Sequence, residues 1–299
     1  MPRSILATAL LAVLVAGPAL AQQAALSNAA PNVPPGFALA PAEQAYLDQV
    51  LQAWEAESGK IQTFSVGFTR MEYDPVFGPG KDPATGEPIA KRHEDGELSY
   101  QRPDKGRFEI TRVLAWDAAA GDHVENENIV GEKWVCDGKA VYEYATEQKQ
   151  LKVRPIPPHM QGESIVDGPL PFLFGAEADK LKRRYWLRLD QKAPDDTLWL
   201  VARPKHHQDA ANYTQVDLML DRRRLLPTAM RVQAPDGVQT TYVFEMNTVK
   251  VNDTMARIWG QLFSAPRTPF GWKRVVEQAG SGPAANSAAN QAANPAVRK

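Results

Sequence analysis

"VDLMLDRRRLLPTAMRVQAPDGVQTTYVFEM", residues 216–246, carries an apolar side chain at every second position in three runs. Val216, Leu218 and Leu220 form the first, Met230 and Val232 the second, and Tyr242, Phe244 and Met246 the third. A period of two belongs to strands with one apolar and one wet face. Two short turn sequences join the runs, "DRRRL" (221–225) and "APDG" (234–237), so the strands are antiparallel neighbours.

The pattern extends through the preceding chain. Phe64, Val66 and Phe68 alternate, as do Leu98 with Tyr100, Phe108 with Ile110, Tyr142 with Tyr144, and Leu151 with Val153. Tyr185, Leu187 and Leu189 follow, then Leu198 and Leu200. Asp95-Gly96, "RPDKG" (102–106), Asp137-Gly138 and "APDD" (193–196) supply turn chemistry between them. With the arm at "WVCD" (134–137), about eleven strands are expected. One helix precedes them: Tyr46, Leu47, Val50, Leu51 and Trp54 recur at helical spacing and Gly59 ends the run. The class is α+β, mainly antiparallel β.

Strands that are apolar on one side build a continuous concavity, which something must cover. The helix is one cover. The other is "GPLPFLFGAEADKL" (168–181), where Phe172, Leu173 and Phe174 lie between glycines and prolines, the composition of a segment that docks and swings as a unit. The loop at 72–93 is long and turn-rich.

The ends read differently. Residues 1–21 have a basic start at Arg3, a short apolar run and the closing Ala19-Leu20-Ala21 of a cleavable signal peptide. Residues 22–41 read as a flexible leader, 42–277 as one domain and 278–299 as a disordered tail. Export to the periplasm or the extracellular space is the expected localisation. Of 34 bases and 35 acids, removal of Arg3 leaves 33 against 35, so a nucleic-acid partner is excluded by charge.

Chemistry is sparse. The five histidines never fall at metal-protease spacing, and neither a nucleophile elbow nor a phosphate loop is present. Catalytic residues, metal and cofactor are therefore expected to be none. Cys136 has no histidine or second cysteine near it in sequence and reads as a small buried hydrophobe. A catalytic reading would require a polar cluster inside the concavity.

Taken in order, several stretches resemble the outer-membrane lipoprotein carriers, the LolA/LolB-like superfamily. "GELSYQRPDKGRFEI" (96–110) is similar to that family's R-P strand pair, and "VCDGKAVYEY" (135–144) to its D-G-K hairpin. "GPLPFLFG" (168–175) stands where its helix begins, and "VDLMLDRRRLLPTAMRVQAPDGVQTTYVFEMNTVKVN" (216–252) and "LFSAPRTPFGWK" (262–273) resemble its closing strands. The GWK ending also resembles a group of exported planctomycete proteins. The chain departs from the carriers in the 72–93 insertion, in Val141-Tyr142 where their hairpin has a tryptophan, and in its tail.

The resemblance implies an incomplete, half-open β-barrel with a helical lid over an apolar cup for acyl chains of lipids or lipoproteins. It implies no cofactor and a role for Arg102 as the lid latch. Phe64, Phe68, Tyr100, Phe108, Tyr142, Tyr144, Phe244 and Met246 are the expected cup lining, and Phe172, Leu173 and Phe174 the lid. The expected function is a non-enzymatic, monomeric carrier that meets envelope membrane proteins; the alternative is an envelope sensor or protein-interaction module on the same fold.

Overall fold

The computed structural model describes residues 33–162, 177–253 and 261–277. The chain enters through helix α1 (Pro41–Gly59) and then runs β1 (Thr63–Tyr73), β2 (Arg92–Gln101), β3 (Lys105–Asp117), β4 (Asp122–Glu125), β5 (Lys133–Asp137), β6 (Ala140–Ala145) and β7 (Gln150–Pro155). Helix α2 (Ala178–Arg184) leads into β8 (Tyr185–Leu189) and β9 (Thr197–Pro204), and the single turn α3 (His207–Ala210) into β10 (Gln215–Asp221). The described chain closes with β11 (Pro227–Gln233), β12 (Gln239–Phe244), β13 (Lys250–Val251) and β14 (Lys273–Val276).

All fourteen strands belong to one sheet, ordered β14-β7-β6-β5-β3-β2-β1-β12-β11-β10-β9-β8, with β13 on β1 and β4 on β3. Among the described residues the first and last strands of that order do not pair, so the sheet is open. Pairing is antiparallel throughout the described residues except between β14 and β7. The three strands beyond the expected eleven are β4, β13 and β14, of two to four residues each. Such pieces are too short to show an alternation.

The Asp95-Gly96 dipeptide does not make a turn. It lies within β2, where the register to β3 shifts. Its glycine has a packing reason: a Cβ on Gly96 would come within 2.6 Å of the Phe68 ring and 2.5 Å of the Glu109 carbonyl oxygen. The β1–β2 connection shortens accordingly to residues 74–91. Upstream of α1, Phe37 is buried under the guanidinium groups of Arg188 and Arg203, each 5.6 Å from its ring centroid.

α1 starts with Pro41 at its first turn, and Glu43 accepts a hydrogen bond from the Ala40 backbone. It buries Leu47, Val50, Leu51 and Trp54 against the sheet. Those four side chains and the facing strands make one continuous core.

Replacing Gly96 with alanine is expected to cost about 1–3 kcal/mol, because either the Phe68 ring or β3 must move. Urea denaturation checks it, and shrinking the ring in Gly96→Ala/Phe68→Leu should return part of the loss. An unchanged midpoint in Gly96→Ala would show that the close approach is not tight.

Candidate functional site

Residues paired across neighbouring strands point to the same face, so the register assigns every strand's facing. Trp134 pairs with Phe108, Phe108 with Leu98, and Leu98 with Val66. Phe68 pairs with Gly96 on one side and Phe244 on the other. Further along, Tyr242, Met230, Leu218, Leu200 and Leu189 follow one another in register. All of these lie on the face that α1 covers.

Phe64, Phe68, Tyr100, Phe108 and Phe244 come together there, all buried, with Met246 partly buried at the edge of the cluster. Phe68 is at the centre, with no exposed surface, stacked on Phe108 at 5.0 Å and tilted against Tyr242 at 5.8 Å.

Tyr142 and Tyr144 do not join them. Tyr142 pairs with Val135, which pairs with Arg107, the residue whose neighbour Phe108 faces inward. Both tyrosines therefore point outward and form a separate cluster with Ala140, Leu151 and Val153. Arg274 lies 5.5 Å over the Tyr142 ring, and Trp272 meets Tyr144 edge-on at 6.1 Å. The inward position of β6 is held instead by Glu143, bound to Arg154 at 2.8 Å. A one-residue error of parity inverts a strand, and β6 offers apolar residues on both parities.

Arg102 donates from Nη2 to the Ser58 carbonyl and from Nε to the Ile61 carbonyl, both at 3.2 Å. It thus grips the C-terminal end of α1, where free carbonyls and the helix dipole favour a cation. Phe172, Leu173 and Phe174 lie outside the described residues.

The inner face is not wholly apolar. Past Phe68 the same parity of β1 places Arg70 and Glu72 inward. Arg70 Nε donates to Glu94 at 2.5 Å and Nη1 to Glu132 at 2.7 Å, with Arg70 and Glu94 almost fully buried and Glu132 partly so. The Arg70 guanidinium also lies 5.7 Å over Phe108. Burial alone would pull Arg70 down, but Glu132, Tyr242 and Glu94 outweigh it and hold the guanidinium well above its ordinary pKa. Burial raises Glu72, against Arg92 and Lys91. Its Oε1 is buried without a hydrogen bond, 3.8 Å from the Lys91 ammonium. Sequence reasoning missed this cluster, although Arg70 and Glu72 stand where the alternation of β1 demands apolar residues.

Cys136 is only 1% exposed, donates to the Asp104 carbonyl at 3.1 Å, and burial raises its thiol to about 11. Burial thus favours the protonated thiol, the poorly nucleophilic form, at neutral pH. Among the described residues no group of three or more His, Cys, Asp or Glu is placed to hold a metal ion. No helix among them is long and apolar enough to cross a membrane. On the outer face His93 and His123 stack at 3.9 Å, and Trp116 meets His123 edge-on. Burial and then His123 lower the pKa of His93, against Asp95 and Asp122.

No family model matches the chain, and no curated protein does. Solved structures do. An uncharacterised conserved protein from Thermus thermophilus aligns with 77% of this chain and 98% of its own, at 12% identity and a TM-score of 0.41. The LolA superfamily protein NE2245 from Nitrosomonas europaea aligns over 72% and 97%, at 10% identity and 0.32. MucB of Pseudomonas aeruginosa, in its complex with MucA, aligns over 74% of this chain and 61% of that one, at 14% identity and 0.36. None of the three bears on the planctomycete likeness.

Two measurements test the electrostatics. Arg70→Met leaves Glu132 without its cation and Glu94 with only the more distant Arg92 at 3.8 Å, and should cost about 3–5 kcal/mol in chemical denaturation. The triple variant Arg70→Met/Glu94→Met/Glu132→Leu should lose less than the single one, and equal losses would show that the charges are not coupled. A lowered folded pKa at His93 means that the unfolded chain binds the proton more readily. Stability should therefore fall as the pH drops below about 6.5, the ordinary histidine value, until the folded pKa is passed. His93→Gln should flatten that slope between neutral pH and mildly acid pH; a slope identical to that of the parent would remove His93 as its source.

Proposed function

We propose that the protein is an exported, non-enzymatic binder of acyl chains, carried by lipids or lipoproteins, within the LolA superfamily. The observation that carries this reading is the inner face itself. Phe64, Val66, Phe68, Leu98, Tyr100, Phe108 and Phe244 form one apolar surface, and α1 lies on it through four apolar side chains. In this reading α1 is the displaceable cover, Arg102 its fastening, and an acyl chain takes the place of Leu47, Val50, Leu51 and Trp54. Tyr142 and Tyr144 have no part in the lining. The charged end at Arg70, Glu94 and Glu132 marks where the apolar surface stops.

Magnitudes fit a carrier. An acyl chain of about fifteen methylenes gains up to roughly 12 kcal/mol on burial. Displacing four apolar helix side chains gives back about 1.5–3 kcal/mol each. The remainder is a few kcal/mol, a range in which cargo can be both loaded and released. Without a competing cover the same burial would correspond to about nanomolar affinity and slow release.

One observation favours a second reading, a protein-interaction module. Val76 and Phe77 are 70% and 75% exposed at a turn whose backbone is fixed by Asp74 Oδ1, at 3.0 and 2.8 Å. That apolar tip suits a pocket on an envelope protein.

A fatty acid brominated along its chain separates the readings, because bromine quenches tryptophan only at close range. Under the carrier reading it quenches the mature protein, and Trp134→Phe, which removes the tryptophan that stays on the inner face beside Phe108, takes away much of the effect. Arg102→Ala, which frees the end of α1, should raise uptake. Absence of quenching at saturating fatty acid in both the parent and Arg102→Ala would overturn the acyl-binding reading.

A further inference from the structure

β14 is an edge strand, and its backbone polarity is fixed by its bonds to β7. Lys273 N–H donates to the Lys149 carbonyl and Glu277 N–H to the Val153 carbonyl, both at 2.9 Å. Alternate residues of a strand direct their amides to opposite edges, so Arg274 and Val276 direct theirs away from the sheet. Among the described residues no strand takes that outer edge. Val276 is 62% exposed, and Lys273 and Arg274 are exposed as well. An unpaired edge of this kind is a template for another strand.

The sequence of the edge states which strand fits. Residues 273–277 read Lys-Arg-Val-Val-Glu. We propose that a second copy of this chain adds its β14 antiparallel to the first, on a two-fold axis through Val275. The monomer expected from the sequence then gives way to a weak dimer with one continuous sheet.

In that register Arg274 faces Val276 of the second copy, and these are the residues whose amides and carbonyls point outward. They exchange both hydrogen bonds, as an antiparallel hydrogen-bonded pair does. Lys273 faces Glu277 of the second copy in the closer, non-hydrogen-bonded pair, and the axis repeats that contact. Opposite charges directly across a pair of strands are favourable, and like charges are not. Parallel in-register pairing would instead set lysine on lysine and glutamate on glutamate. A two-fold contact also closes on itself, whereas pairing of β14 with β8 at the other edge would propagate. Glu277 already holds Arg154 at 2.6 Å, so its carboxylate would bridge the two copies.

Two segments of residues 273–277 bury far less surface than a stable interface of about 1,200 Å² needs, so the dimer must be concentration-dependent. Sedimentation equilibrium of the full mature chain tests it. The parent is expected to move from monomer towards dimer as concentration rises. Lys273→Glu breaks both symmetry-related contacts and sets glutamate against glutamate, and should weaken association roughly tenfold. Arg274→Pro removes an outward N–H while every N–H bonded to β7 remains, and should abolish the dimer; circular dichroism shows whether the sheet is intact. A chain that stays monomeric up to millimolar concentration overturns the proposal. So does a dimer indifferent to Lys273→Glu, or a series of growing assemblies, which would mean pairing of β14 with β8.

Discussion

The tip of the Phe68 ring comes up against a backbone that has no side chain to meet it. Gly96 leaves that space, and the neighbouring β3 brings Phe108 into stacking distance. From this contact the inner face is laid out in both directions. Phe244 and Tyr242 extend it through β12 towards β8, and Leu98 and Trp134 through β2, β3 and β5. The bulge next to Gly96 resets the pairing of β2 with β3, so the two halves of β2 meet different partners. One half belongs to the apolar cluster, and the other to the ion network.

That division gives the face two kinds of cohesion. The apolar half is held by area removed from water, which has no direction and tolerates exchange of one apolar group for another. The charged half is held by Arg70 between Glu94 and Glu132, which is directional and costly to leave incomplete. A cover on the first half can be replaced by something of similar shape and polarity. The second half resists replacement, so the place where it begins is a fixed boundary for whatever lies on the first. Phe108 stands at that boundary, touching Phe68, Trp134 and the Arg70 guanidinium.

Much of this was legible in the sequence. Alternation in β1, β2, β3, β10, β11 and β12 carries one clear parity, and the structure puts their apolar residues together. β6 has no such clarity: "AVYEYA" offers Val141 on one parity and two tyrosines on the other, and only its pairing with β5 decides. Asp95-Gly96 has the composition of a hairpin turn, but the glycine is there for the Phe68 ring, a contact between residues 28 positions apart in sequence. The partners of Arg70 lie 24 and 62 positions away, which no local pattern reveals. β14 pairs in parallel with a strand 123 positions before it, and its Lys-Arg-Val-Val has too little periodicity to announce a strand.

The burial of Cys136 has a consequence for the redox life of the chain. Oxidants and disulfides react with the thiolate, and a thiol at about 11 is ionised to roughly one part in ten thousand at pH 7. With its sulfur tucked against the Asp104 carbonyl, the folded chain presents almost nothing to sulfenylation, glutathione exchange or cross-linking with another cysteine. Only a chain that has opened β5 exposes a reactive sulfur. Oxidising surroundings would then mark unfolded copies covalently and leave folded ones untouched, a discrimination built from one residue and its burial.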